Sequence, residues 1–278
     1  SAKITADTQI YAGWEEDSGN TVAVKFYNNY SENDTTVFQT SRINSGKRVP
    51  RPATPEREGY YFYGWYTDAE CTTSFNFQSR VNENTEAYAL WLKYWTFEAE
   101  YVNLDGKAGL GFSENVHGTE MIGKDGINGC DCKASNGYYV AYLYYNGADL
   151  EFEIEAAEEV NNAALILRLS VEFFDISLDS DSYGIYVNDD ELTGYVLNLD
   201  NAIPVDKNGT NLKRPFENYE ISTKVHLNKG KNIIRLETQN DDAQPVGTYK
   251  AAAPMIDCIY ICTNTELSWN PRTDNLSK

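Results

Sequence analysis

Long apolar runs are absent from these 278 residues. None approaches the ~20 residues a membrane-spanning helix needs, so no membrane insertion is expected. Basic residues are scarce as well: 23 Lys and Arg face 42 Asp and Glu, for a formal charge of −19. A field of that sign repels phosphate backbones and anionic headgroups, which removes nucleic acid and membrane surfaces from the expected partners. It tolerates neutral sugars and attracts cations; it also serves simply to keep a protein soluble. Histidine is nearly missing, with only His117 and His226. The five cysteines are wrongly spaced for a zinc set, Cys130 and Cys132 being one residue apart and Cys258 and Cys262 four apart in one late strand. An odd number cannot all pair, so buried or reduced thiols are expected, with room for one bridge between the 130–132 loop and the late strand.

What is abundant is aromatic: 21 Tyr, 11 Phe and 5 Trp. That content is too apolar for disorder, while a mean hydropathy of −0.54 is too polar for a membrane protein. The length allows two domains, each with its own core. No stretch carries helical periodicity beyond a turn or two, so the fold class expected is mainly β.

An internal echo organises the first part of the chain. "ITADTQIYAGW" at 4–14 and "VNENTEAYALW" at 81–91 share an apolar start, a Thr, then Tyr-Ala-x-Trp. Trp14 therefore ends one unit and 15–91 forms the next. Inside it, 21–28 and 35–43 read as strands, and the Pro-punctuated stretch 48–68 leads into an aromatic strand. "GYYFYGWYTDAECTTSFNF" followed by "VNENTEAYALW" resembles the Listeria–Bacteroides surface repeat, also called the internalin B-repeat. The resemblance implies a small β-grasp-like module acting as an extracellular spacer or adhesion element. It also implies that the chain is an excerpt from an array, so the lack of a leader carries no weight.

The remainder alternates with period two. In "DLEFEIEA" (149–156), Leu150, Phe152 and Ile154 share one face and Glu151, Glu153 and Glu155 the other. "ALILRLSVEFF" (164–174) points Leu165, Leu167, Leu169 and Val171 inward, "VHLNKGKNIIRLET" (225–238) is two alternating strands around a turn, and "MIDCIYIC" (255–262) is a last strand with little polarity. Such strands with turn clusters between them argue an antiparallel sandwich. The expected division is 1–14, a terminal strand of a preceding repeat; 15–93, the repeat; 94–265, the sandwich; and 266–278, a tail.

Acidic side chains in that sandwich invite a metal reading. On a strand through "FEAEY" (97–101), Glu98 and Glu100 face the same way and repel unless a cation lies between them. Calcium suits, taking six to eight hard oxygen ligands, but a solvated face has the same spacing. Asp257 falls on the face of Ile259 and Ile261, where an unpaired carboxylate must be neutralised, hydrogen-bonded or metal-bound. If the first and last strands are neighbours, the three acids meet.

The opening Glu-Ala-Glu, "NGYYVAYLYYNGADLEFEIEA", "VHLNKGKNIIRLE" and "PMIDCIYI", in that order over nearly all of 96–263, resemble a carbohydrate-binding module of family 35, or its relative family 6. The resemblance implies a jelly-roll sandwich with structural Ca2+ held by Glu98, Glu100 and Asp257. It also implies a sugar site of aromatics and an asparagine on edge loops, here Tyr138, Phe216, Tyr219 and Asn240, with Tyr249 as an outlying candidate. Stacking on pyranose C–H faces would use those rings, and core or rim packing is the other role each can play. The long loop after Glu237 and the absence of tryptophan at 210–220 depart from the family pattern.

Catalysis finds no footing. "GKAGLGF" (106–112) lacks the Lys-Ser/Thr and following helix of a phosphate loop. Neither histidine has a sequence-local nucleophile. With 42 acids, carboxylate pairs for glycoside hydrolysis are too many to settle by counting, but a small sandwich without a cleft signature makes a poor hydrolase, so that class ranks last and the expected protein is not an enzyme. It is a monomeric segment of a larger extracellular or cell-surface chain, binding polysaccharide or host glycan. A surface adhesin that contacts protein and has no sugar site is the competing expectation.

Overall fold

The computed structural model describes residues 19–109, 116–126, 132–171, 175–200, 203–204, 212–239 and 253–277. Chain contacts divide into two compact units, one of residues 1–58 and 62–91 and one of 59–61 and 92–278. No α-helix occurs among the described residues, and strands dominate both units.

The first unit is built on a mixed sheet. Strand β1 (Thr21–Tyr27) pairs antiparallel with β2 (Val37–Asn44) and parallel with residues 85–88 of β4 (Thr85–Glu98), while β3 (Tyr60–Tyr66) also pairs with β4. Alternation along β1 buries Val22, Val24 and Phe26, and along β4 it buries Ala87, Ala89 and Trp91. The repeat motif is thereby explained as packing. Its small alanines leave room for rings: Phe26 meets Trp65 edge-on at 4.9 Å, and Phe62 meets both Trp65 and Trp91, at 5.3 and 5.6 Å. The Trp91 indole donates from Nε1 to the carbonyl of Asn28 at 2.6 Å, which satisfies its one polar atom. Tyr88 points outward and stacks on Tyr27, with centroids 5.1 Å apart.

The second unit is a two-sheet sandwich. Labels run in chain order: β5 Ile122–Lys124, β6 Tyr138–Val140, β7 Asp149–Ala156, β8 Val160–Ser170, β9 Tyr183–Val187, β10 Asp190–Glu191, β11 Glu217–Leu227, β12 Gly230–Thr238, β13 Met255–Cys262 and β14 Leu267–Ser268. One sheet runs β11-β8-β13 and then residues 94–98 of β4, with β6 also against β13 and β5 against β6. The other runs β10-β9-β12-β7-β14. Their inner faces share one core, with Leu165, Leu167, Ile259, Ile261 and Phe97 from the first sheet against Phe152, Ile154, Ile185 and Leu236 from the second. The antiparallel sandwich expected from period two is the architecture found.

The strands at 217–227 and 230–238 belong to different sheets, so the turn between them crosses the sandwich. Buried Asn232 holds that corner. Its amide donates to the carbonyls of Asn228 and Gly230 at 2.8 and 2.9 Å, and its Oδ1 accepts the Asn228 N–H at 2.8 Å. Gly230 sits at φ +88°, a conformation that side-chain-bearing residues rarely adopt.

Close packing gives a first prediction. A Cβ on Gly109 would lie 2.6 Å from the backbone oxygen of Tyr142, which is itself held at φ +70°. Neither backbone can yield cheaply, so Gly109→Ala is expected to destabilise the sandwich by about 1–3 kcal/mol. Denaturant unfolding indistinguishable from wild type would contradict this.

Candidate functional site

β4 and β13 are neighbours, with Glu98 opposite Cys258 and Phe97 opposite Ile259. The first and last long strands of the sandwich thus bring Glu98 and Asp257 together, as the sequence required for a shared site. Two details differ from expectation. Asp257 does not share the face of Ile259 and Ile261. Between Arg168 and Leu169 the register of β13 jumps from Cys258 to Ile256, a β-bulge that leaves Asp257 as the extra residue. Ile256 and Ile259 both reach the core, and the two residues between them turn away from it. The second difference concerns Glu100, which is not on a strand. Past Glu98 the edge of β13 is taken by β6, through Val140 opposite Ile256, so β4 loses its partner and the chain closes into a 3-10 turn over Ala99–Tyr101.

The segment 132–136 ties the acids together. Asp125 accepts the backbone N–H groups of Cys132 and Ala134 at 2.8 and 3.3 Å, fixing the loop. Ser135 then donates its N–H to both carboxylate oxygens of Asp257, each at 3.0 Å. Its hydroxyl lies 2.7 Å from Glu98 Oε2 and 3.0 Å from Asp257 Oδ1, so one proton serves either acid. Asn136 Nδ2 donates to Glu100 Oε1 at 2.9 Å and to the Tyr101 hydroxyl at 2.7 Å. From β8, Arg168 donates through Nε to Asp257 Oδ2 at 2.6 Å and through Nη2 to the carbonyl of Lys133 at 2.9 Å. Asn275, near the chain end, donates to the carbonyls of Glu100 and Val102 and so pins the turn.

Glu100 and Asp257 are fully buried. Burial pushes the Glu100 carboxyl up to about 7, against the Asn136 hydrogen bond that favours its ionised form. Glu98 and Asp257 are also raised, burial being the larger cause in each; Ser135 opposes it at both, and Arg168 opposes it at Asp257. One atom stays unserved: Glu100 Oε2 is buried and has no hydrogen-bond partner. Glu98, Asp257 and Cys258 each offer a ligand atom, all within 4.8 Å of one another. Glu100, which carries the orphaned oxygen, is not among those three, and a hard divalent ion would take the carboxylate oxygens rather than the Cys258 thiol. The Arg168 guanidinium supplies part of the balancing charge already.

The proposed sugar-contacting residues scatter. Tyr138 opens β6, two residues after Asn136, half-buried with Lys124 Nζ 5.6 Å from its ring centre. Phe216 is 4% exposed and its ring packs on Tyr139, Met255 and Cys132, so it has no open face for a sugar. Tyr219 lies opposite Leu167 and packs against the sandwich core. Asn240 and Tyr249 lie outside the described residues. Reading the sequence alone did not single out Ser135, Asn136, Arg168 or Asn275. Only Arg168 left a signal there, as the one cation interrupting the apolar run of "ALILRLS".

The cysteine expectation needs correction. Cys132 is disulfide-bonded, whereas Cys258 and Cys262 are free and buried, as free Cys71 partly is. No bridge therefore joins the 130–132 loop to the late strand. Cys258 faces the acid cluster and Cys262 pairs across to Tyr94 of β4, which commits both positions to the sheet.

Among known proteins, the chain is 27% identical over 184 residues to a protein of Evansella cellulosilytica that carries a membrane-protein name, covering 65% of this chain and 25% of that one. A second protein of that organism, named as a Gly-rich membrane protein, is 34% identical over 31% of this chain and 9% of its own length. The chain thus spans a quarter or less of these relatives. No described helix is long and apolar enough to cross a membrane. Among solved structures, the CBM35 from Cellvibrio japonicus Abf62 is 13% identical, with 63% of this chain and 96% of that one aligned at a TM-score of 0.37. A family 35 carbohydrate binding module from Clostridium thermocellum is 22% identical, with coverages of 61% and 98% at 0.34. Residues 29–90 match the family model of the Listeria-Bacteroides repeat domain.

Proposed function

We propose that the sandwich is a non-catalytic carbohydrate-binding module stabilised by calcium, and that the repeat serves as its spacer in an extracellular or cell-surface protein. The observation that carries the reading is the convergence of Glu98, Glu100 and Asp257 around Ser135 and Asn136, with Glu100 Oε2 buried and unserved. Those three carboxylates would hold the ion, which supplies positive charge that a buried acidic cluster needs. Tyr138 would be the ring that stacks on a pyranose; it follows the turn that binds the acids and is only partly buried, which supports that role. Polysaccharide or host glycan is the partner class. Single sites of this kind gain avidity from repetition along a longer chain.

Affinity electrophoresis or calorimetry against a panel of neutral and uronate-bearing polysaccharides tests the reading. Tyr138→Ala is expected to weaken binding about tenfold, the loss of one ring contact and the area it covers. Retention unchanged in Tyr138→Ala would remove that residue from the site. One observation favours an adhesin without a sugar site: Phe216, the other ring of the expected pair, is closed into the core. Absence of retention on every glycan, alongside capture of a defined protein ligand, would establish that second reading.

A further inference from the structure

A cavity of about 410 Å3 opens where β11 turns into β12. Val160, at the start of β8, is opposite Leu227 at this end of the sandwich, whereas Arg168 of the acid cluster lies eight residues further along the same strand, on the order of 25 Å away. The floor is aliphatic, made of Val187, Leu192 and Val225. Around it stand Asp189, Asp190, His226 and Asn228.

The wall is built in advance of any ligand. Asn188 spends its side chain on structure, donating to Asn232 Oδ1 at 3.2 Å and accepting the Ile233 N–H at 3.0 Å, which locks the β9–β10 turn to the β11–β12 corner. The His226 ring is held between Asn161 Oδ1 at 3.2 Å and Asn228 Oδ1 at 3.3 Å. Lys224 is occupied too, with Nζ 3.1 Å from Glu220. Against these committed groups, the carboxylates of Asp189 and Asp190 make no hydrogen bond or ion pair among the described residues.

Two exposed, unengaged carboxylate acceptors beside an apolar floor complement a molecule with adjacent hydroxyls on one side and C–H groups on the other. Its volume falls in the range of small-ligand pockets, roughly 300–1,000 Å3. The carboxylates would accept charge-assisted hydrogen bonds from neighbouring hydroxyls, and their charge repels anionic sugars. From this we infer that the β9–β10 and β11–β12 turns form a second saccharide site, one that takes a neutral hexopyranose unit and rejects uronates. It is independent of the acid cluster and of Tyr138.

Amide-resolved NMR titration of the whole chain tests this, using glucose, galactose, mannose and glucuronate as probes, each with and without calcium. A neutral hexose is expected to shift amides of 187–192 and 224–228 saturably. The pair D189N/D190N should bind at least tenfold more weakly while keeping the wild-type spectrum elsewhere, because both side chains are exposed. Tyr138→Ala should leave these shifts untouched, which separates failure of this site from failure of the one above. The inference is overturned by any of three results: no shifts at these amides with hexose in the tens of millimolar, equal binding by D189N/D190N, or glucuronate binding as well as the neutral sugars. Shifts caused by calcium alone would make the rim a cation site and overturn it equally.

Discussion

Asp257→Ala is expected to cost the sandwich about 3–5 kcal/mol, the range for removing one partner of a buried ion pair. Asp257 is fully buried and accepts two hydrogen bonds from the Ser135 N–H and one from Arg168, the last at 2.6 Å. Alanine leaves the Arg168 guanidinium, itself four-fifths buried, without its counter-charge and releases the loop that carries Ser135 and Asn136. Asp257→Asn keeps an acceptor for Ser135 and loses only the charge, so it should lose less. The sandwich's own calorimetric transition is the measurement, since two units need not unfold together. A loss below about 1 kcal/mol for alanine would mean that the cluster does not hold the strand ends together.

Calcium should give the other large effect. Free ion at a hundred times its dissociation constant is expected to add about 2.7 kcal/mol and raise the melting temperature of the sandwich, and EDTA should abolish the gain. Glu100→Gln is expected to eliminate the response. It should not destabilise the chelated protein, because a neutral amide is easier to bury at that fully enclosed position than a carboxylate. Superimposable melting curves in calcium and EDTA would sink the metal assignment. A calcium response that survives in Glu100→Gln would move the ion off this carboxylate.

Much of the fold was legible along the chain because burial on one face of a strand writes itself as period two. Leu150, Phe152 and Ile154 point inward as their spacing demanded, and so do Leu165, Leu167 and Leu169. The aromatic motif of the repeat was equally readable, since rings spaced around small alanines have one economical packing. The acid cluster was half legible. Glu98 and Asp257 could be suspected of meeting, but the bulge that turns Asp257 out of the core is a property of pairing between β8 and β13. A bulge of this kind leaves no mark in either strand alone. The rings of Phe216 and Tyr219 looked identical in kind to Tyr138, and only the neighbours that cover each ring distinguish them.

Alternation, turn residues and the repeated Tyr-Ala-x-Trp ending determined the strands, the sandwich and the repeat, because each depends on residues close in sequence. The tertiary structure decided which side chains converge: Ser135 and Asn136 upon the acids, Arg168 upon Asp257, and Asn188 and Asn232 at a corner beneath an open cavity. Those contacts join segments tens of residues apart. Their partners are chosen by sheet register and by the direction of each crossing, quantities that no local stretch of sequence contains.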